Sequence, residues 1–262
     1  MQVYQHNETA IHYLDQGSSS PLFFIHGLGA DHAMFEPQIA EFSKDYRVIV
    51  PDLRGNGLSS QLTGPVDTVL DRQCQDVLGI MDELQIEKAV FSGVSYGGVF
   101  NFHFVLMYPE RVAGLIITDS FSDTKVQSIQ EFLNLVATYL ALPMLYFPKL
   151  LLPSIKQSYQ RWPLAQEYML QAFENLRSRE VILQRLAINK ANHTPKLHNY
   201  KSPLLGMVGD NVPLLIQYMT RAMDQFEHGE LTIIENSFDP SNLCATKKYN
   251  SLVRDFLVKI GW

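Results

Sequence analysis

The chain has 262 residues, 46% apolar and 18% charged, with a formal net charge of -6 and no cluster of lysines or arginines. This composition allows a sizeable globular core and excludes a nucleic-acid partner, because such binding rests on neutralising phosphates with a basic face. Cys74 and Cys244 stand far apart without metal-ligand spacing, and Met1 to Glu8 has neither a basic nor an apolar leader region, so a reducing, cytoplasmic compartment is expected.

In chain order, Gln2 to Gln5 and Ile11 to Leu14 alternate polar and apolar residues around Asn7-Glu8-Thr9, the pattern of an antiparallel hairpin at a sheet edge. Pro21-Leu22-Phe23-Phe24-Ile25 is a continuous apolar run, which predicts a strand buried on both faces, and it ends in His26-Gly27-Leu28-Gly29. A helix over Met34 to Phe42, a strand over Arg47 to Val50 and a loop from Pro51 to Ser59 come next. Thr68 to Leu84 predicts a long amphipathic helix, Lys88 to Ser92 a strand, and Val112 to Thr118 another buried strand. Strands alternating with helices imply an α/β fold with a parallel sheet and right-handed crossovers.

The alternation breaks after Asp119. Residues 124–200 carry helical pattern without a strand, and Pro203 to Gly209 resumes the sheet. A helix over Leu214 to Phe226, a strand over Glu230 to Glu235 and a final helix over Ala245 to Ile260 complete the chain. The expected organisation is a core in two parts, 1–123 and 201–262, with 124–200 as a helical cap inserted before the last two strands. Phe132 to Pro153 is strongly apolar, yet Pro143, Pro148, Pro153, Asn134 and Lys149 argue against a transmembrane segment, since helix breakers leave backbone groups unsatisfied in lipid. The stretch is expected to cover an apolar pocket, with loose membrane contact as the other reading.

Gly93-Val94-Ser95-Tyr96-Gly97-Gly98 stands between a predicted strand and a stretch, Val99 to Tyr108, with apolar residues at helical spacing. This is the context of a nucleophile elbow. A strained serine lifts its hydroxyl clear of the sheet, and small residues two positions either side let strand and helix approach. Ser95 is therefore the candidate nucleophile, expected at the floor of a pocket lined by cap residues from Phe132 to Phe147.

With hairpin, His26-Gly27, Asp52-Arg54-Gly55-Gly57-Ser59, elbow, cap and last strands in that order, the chain resembles the α/β-hydrolase superfamily over nearly its whole length, in particular its small bacterial esterases, lactonases and C–C hydrolases. The resemblance implies an oxyanion hole made by the backbone amides of Leu28 and Tyr96, two donors that would meet the charge developing on an attacked carbonyl. It further implies an acid after the strand that follows the cap and a histidine after the last strand. Matching Gly209 and Pro213 to that pattern puts Val212 in the acid's slot with Asp210 and Asn211 just before it, and Asp239 takes the histidine's slot.

The expected catalytic set is thus Ser95, Asp239 and Asp210, with the two carboxyls close enough to share a proton. Some members of the superfamily place the acid after the strand that here ends at Thr118, which makes Asp119 and Asp123 alternatives; their simpler reading is helix capping at the cap entrance. Of the eight histidines, His26 and His32 stand at the carboxyl ends of strands and are the alternative bases, each also readable as structural. His103 and His193 are weaker candidates, His198 and His228 belong to the opposite end of the sheet, and His6 and His12 to the edge hairpin.

These readings predict a serine-hydrolase-type enzyme for small carboxylic esters or lactones, weak because an aspartate of pKa about 3.9 accepts a serine proton less readily than a histidine of about 6.5. The competing class is a non-catalytic pseudo-hydrolase that binds a small apolar ligand, or a protein partner through its cap. Leu115 to Thr124 is similar to the matching stretch of maspardin, an α/β-hydrolase-fold protein that lacks the usual histidine, which implies such a role. No metal cluster, nucleotide loop or cofactor motif stands in the sequence, so no cofactor is expected.

Overall fold

Apolar runs flanked by turn residues build one eight-stranded sheet in a computed structural model that describes every residue of the chain except His228. β1 (Gln2–His6) and β2 (Thr9–Gln16) form the antiparallel edge hairpin. The remaining strands are β3 (Pro21–Ile25), β4 (Arg47–Pro51), β5 (Ala89–Val94), β6 (Val112–Thr118), β7 (Leu204–Gly209) and β8 (Glu230–Ile234). They lie in the order β1-β2-β4-β3-β5-β6-β7-β8; β2 pairs antiparallel with β4, and all later neighbours are parallel.

The core helices are α1 (Glu36–Phe42), α2 (Val69–Glu83) and α3 (Tyr96–Met107). Between β6 and β7 run α4 (Ile129–Ala141), α5 (Leu152–Ser158), α6 (Pro163–Glu174), α7 (Ser178–Ile188) and α8 (Thr194–Leu197), with no strand among them. The chain closes with α9 (Pro213–Met223), the short α10 (Ser241–Cys244) and α11 (Thr246–Lys259). Period-two alternation sends Phe23, Ile25, Phe91, Leu115 and Ile117 to the face covered by α2 and α3. Leu22, Phe24, Val90, Val94 and Ile116 face the other way, under α1 and α11. Both faces are therefore dry, which is why these strands read as unbroken apolar runs.

β3 lies between β4 and β5, so the chain leaves β3 towards one side of the sheet and returns on the other. The loops after β3 and β5 diverge at this point, leaving a crevice beyond the carboxyl ends of the strands where ligands of such sheets bind. The helical segment covers this end differently from the expectation. Phe132, Leu133, Leu140, Met144, Tyr146 and Phe147 are exposed instead of lining a pocket. For Phe132, Leu133 and Leu140 the rotation of α4 explains this, because buried Glu131 pairs with Arg221 of α9, and Leu135 and Thr138, one and two turns on, follow it inward. The apolar stretch is broken by 3-10 turns at Leu142–Tyr146 and Pro148–Leu151, and among the described residues no helix is long and apolar enough to cross a membrane.

Candidate active site

The turn between β5 and α3 accepts no side chain at two positions. A Cβ on Gly97 would stand 2.0 Å from the Ile25 carbonyl oxygen, and one on Gly93 would stand 2.3 Å from that of Gly97. Ser95 between them has φ 55° and ψ -114°, a conformation that costs a non-glycine residue about 1–3 kcal/mol. The surroundings hold it there: the Ser95 amide donates to Thr118 O at 2.9 Å, and the Ser120 hydroxyl donates to Ser95 O at 2.7 Å.

The Ser95 hydroxyl, half-buried, donates to Asp239 Oδ2 at 3.0 Å. Asp239 follows β8 through a turn held from several sides. Tyr159 donates its hydroxyl to Asp239 O, Trp162 Nε1 donates to Asn236 O at 2.8 Å, and Asp210 accepts from the amides of Asn236 and Ser237 at 2.9 and 3.0 Å. Burial takes water away from the carboxyl of half-buried Asp239, and the charge of Asp119, of like sign, acts on it. Together these push its pKa up to about 8, against smaller opposing effects of the Ser95 hydroxyl and the Arg185 cation.

Asp119 comes directly after β6 at φ 49° and is buried. Its carboxyl accepts from Gly209 N at 2.9 Å, Ser241 N at 2.7 Å and Ser241 Oγ at 3.0 Å. Burial outweighs these bonds and raises its pKa to about 6. The acid whose charge acts on Asp239 is thus Asp119. Asp210, expected in that place, is exposed on the outside of the turn, where the amides of Asn236 and Ser237 hold its carboxyl below the ordinary range. The reason is geometric: directly after the end of β7, its side chain caps the neighbouring turn after β8 instead of facing the elbow. Asp123 is tied to Arg221 and Thr194.

Among the described residues no histidine bonds to Ser95. His26 is buried with both ring nitrogens engaged, Nδ1 on Gly27 O at 2.8 Å and Nε2 accepting from Leu53 N at 3.0 Å; burial first of all lowers its pKa. His32 Nδ1 meets buried Asp52 Oδ1 at 2.8 Å, which raises its pKa, and the pair borders a separate groove of about 370 Å³ with Tyr168 and Arg177. His103 bonds to Asp71, and His193 packs its ring 5.1 Å from that of His103, with burial lowering its pKa to about 3. His228 lies outside the described residues. Among those residues no group of three or more histidine, cysteine, aspartate or glutamate side chains could hold a metal ion.

Gly27 lies close behind the serine: a Cβ there would stand 3.7 Å from Ser95 Cβ. The amides of Leu28, in that loop, and Tyr96, at the first turn of α3, find no acceptor among the described residues. The amide of Tyr96 is left free of a helical partner because it stands at a helix start. A larger groove of about 680 Å³ opens at the far end of the sheet, beside Leu204 and Glu230 where β7 and β8 begin, away from Ser95.

Residues 20–226 match the family described as alpha/beta hydrolase fold. The 3-oxoadipate enol-lactonase 2 of Acinetobacter baylyi is 35% identical over 115 residues, covering 43% of this chain and 42% of the relative, so the likeness spans less than half of that protein. The (E)-2-((N-methylformamido)methylene)succinate hydrolase of the same organism is 26% identical over 96% of this chain and 95% of its own. Among solved structures, a thermophilic esterase from Thermogutta terrifontis superposes with a TM-score of 0.84 over 99% of both chains at 22% identity, which is a likeness of fold. The sheet order, the serine turn and the match over residues 20–226 together make this chain a member of the α/β-hydrolase fold family.

Proposed function

We propose that the protein is a serine hydrolase of small carboxylic esters or lactones in which Asp239 replaces the usual histidine as base. The observation that carries this reading is the hydrogen bond from the strained Ser95 to Asp239. An aspartate at its ordinary pKa would be a poor partner for a serine proton. A carboxyl of pKa about 8 is a stronger base than a free imidazole once it is ionised, and it serves as an acid in the return step.

In the proposed reaction Ser95 Oγ attacks the carbonyl carbon as its proton passes to ionised Asp239. The carbonyl electron pair moves onto oxygen, facing the amides of Leu28 and Tyr96. On collapse the C–O bond to the leaving group breaks and the Asp239 proton passes to the departing oxygen. Water, deprotonated by Asp239, then attacks the acyl carbon, the bond from that carbon to Ser95 Oγ breaks, Asp239 returns the proton to Oγ, and the carboxylic acid leaves. Asp119 acts through Asp239 as a positioning residue, its charge keeping the base's pKa high. The helices between β6 and β7 serve as the cap, holding the loop of Asp239 through Tyr159 and Trp162.

A second reading, a non-catalytic binder, draws on the exposed apolar face of α4, which suits a protein partner, and on the want of a histidine at Ser95 among the described residues. Fluorophosphonate labelling separates the two. Labelling at pH 9 that vanishes in Ser95→Ala supports an activated nucleophile; a folded protein that takes no label supports the binder.

A further inference from the structure

Every arginine but one has an acceptor among the described residues. Arg54 holds Asp76, Arg221 holds Asp123 and Glu131, and Arg177 donates to the carbonyls of Asn56, Gly57 and Ser59. The others are engaged likewise. Arg185, on α7, is half-buried and forms neither a hydrogen bond nor an ion pair among the described residues, and the first charged group to act on it is Asp239. Taking a cation out of water without a counter-charge costs several kcal/mol, so proteins pair such groups.

Asn189 stands four residues on, hence on the same side of the helix end. It is 6% exposed, and its side-chain nitrogen has no acceptor. Both residues line one cavity of about 30 Å³, bounded by Phe121 and Thr124 just after Asp119 and by Asn134 and Thr138 of α4. Thr124 and Thr138 spend their hydroxyl protons elsewhere, on the carbonyls of Asn189 and Leu135. Two donors without acceptors thus converge on a space too small for a whole substrate and large enough for a carboxylate head.

We propose that Arg185 and Asn189 form a carboxylate-binding subsite, so that the ester or lactone cleaved at Ser95 carries a carboxylate a short chain away from its reacting carbonyl. The substrate part of this proposal rests on Ser95 being the reacting group; the subsite does not. Guanidinium and carboxylate match as a charge-assisted, bidentate pair. An uncharged ester leaves the cation unpaired, so the subsite selects between two otherwise similar substrates.

The test uses the full chain and two measurements. In the first, Ser95→Ala protein is titrated calorimetrically with monomethyl adipate and dimethyl adipate. The monoanion binds about ten- to a hundredfold more tightly. Adding Arg185→Gln, which removes an unpaired charge and should fold, abolishes the difference, while Arg185→Lys keeps part of it. In the second, native protein and Arg185→Gln are compared on the 4-nitrophenyl half-ester of adipic acid and on 4-nitrophenyl hexanoate, the charged ester being preferred through KM only when Arg185 is present. Monoanion binding that depends on Arg185, with neither ester hydrolysed, keeps the subsite and removes the hydrolase reading. Hydrolysis of both esters with a ratio that Arg185→Gln leaves unchanged keeps the hydrolase and overturns the subsite. Equal binding of the two adipates, or binding of neither, also overturns it.

Discussion

The hydroxyl of Ser95 donates to a carboxylate oxygen of Asp239 at 3.0 Å, in the place where a hydrolase of this fold would be expected to present an imidazole. The charge of Asp119 acts in turn on Asp239, so two acids are linked to one serine. Two such acids cannot ionise freely together, and burial with the charge of Asp119 raises the pKa of Asp239 to about 8.

This arrangement costs stability in a pH-dependent way. Asp239 has a folded-state pKa near 8 and an unfolded value near 3.9, so between these the folded state holds the extra proton and stability declines as pH rises through that window. Asp239→Asn, which cannot ionise, should leave Tm nearly unchanged at pH 4 and raise it by several degrees at pH 9. Calorimetry at the two values checks this; a variant less stable than the native protein at pH 9 contradicts it.

Neutralising Asp119 should ease ionisation of Asp239. Asp119→Asn keeps one acceptor for Gly209 or Ser241 and removes the repelling charge, so the midpoint of any Asp239-dependent activity should move to lower pH. The pH–rate profile of the variant measures the direction. An upward shift would assign the carboxyls the wrong way round.

Restoring an imidazole needs one substitution. The charge of Asp119 acts on position 239 and favours an imidazolium there, so Asp239→His should increase hydrolysis of a short activated ester at pH 7 by about a hundred- to ten-thousandfold, the usual contribution of a positioned acid–base group. Adding Val212→Asp should contribute nothing further, because the loop after β7 turns its acid, Asp210, outward onto the amides of Asn236 and Ser237. A double variant much faster than the single one would place the acid after β7 after all.

The elbow should show graded sensitivity. Ser120→Ala removes the hydroxyl that holds Ser95 O and should cost about 1 kcal/mol, a Tm drop of about 2–4 °C in a chain of this size. Gly97→Ala forces a methyl to 2.0 Å from the Ile25 carbonyl and should cost more than about 3 kcal/mol or prevent folding. Thermal and chemical denaturation rank the two; equal effects contradict the close approach of β3 and α3.

The strands were legible because burial on both faces writes itself as a run: Pro21 to Ile25 and Val112 to Thr118 fall within the bounds the sequence suggests. The serine turn was legible because its glycines have no substitute at Gly93 and Gly97. The rest depends on contacts between distant segments. α10 escaped notice because Ser241 to Cys244 is a single turn of ordinary residues. The inward face of α4 is chosen by Glu131 meeting Arg221, 90 positions away, and so the side chains of Phe132 and Leu133 point outward against the hydrophobic expectation. Asp119 carries one local signal, since an aspartate directly after a buried strand stands at the ligand end of the sheet. Nothing local marks Arg185, whose only distinction is the partner it lacks among the described residues.

The most direct test of Asp239 as base is the pH dependence of kcat/KM for 4-nitrophenyl butyrate, with the spontaneous rate subtracted, in native protein and Asp239→Asn. Because the base must be ionised to accept the Ser95 proton, native activity should be low at pH 6, rise through a single midpoint near 8 and level off above it, and Asp239→Asn should remove the rise. A profile centred near 6.5, or one that Asp239→Asn leaves unchanged, would contradict the account and return the role of base to a histidine.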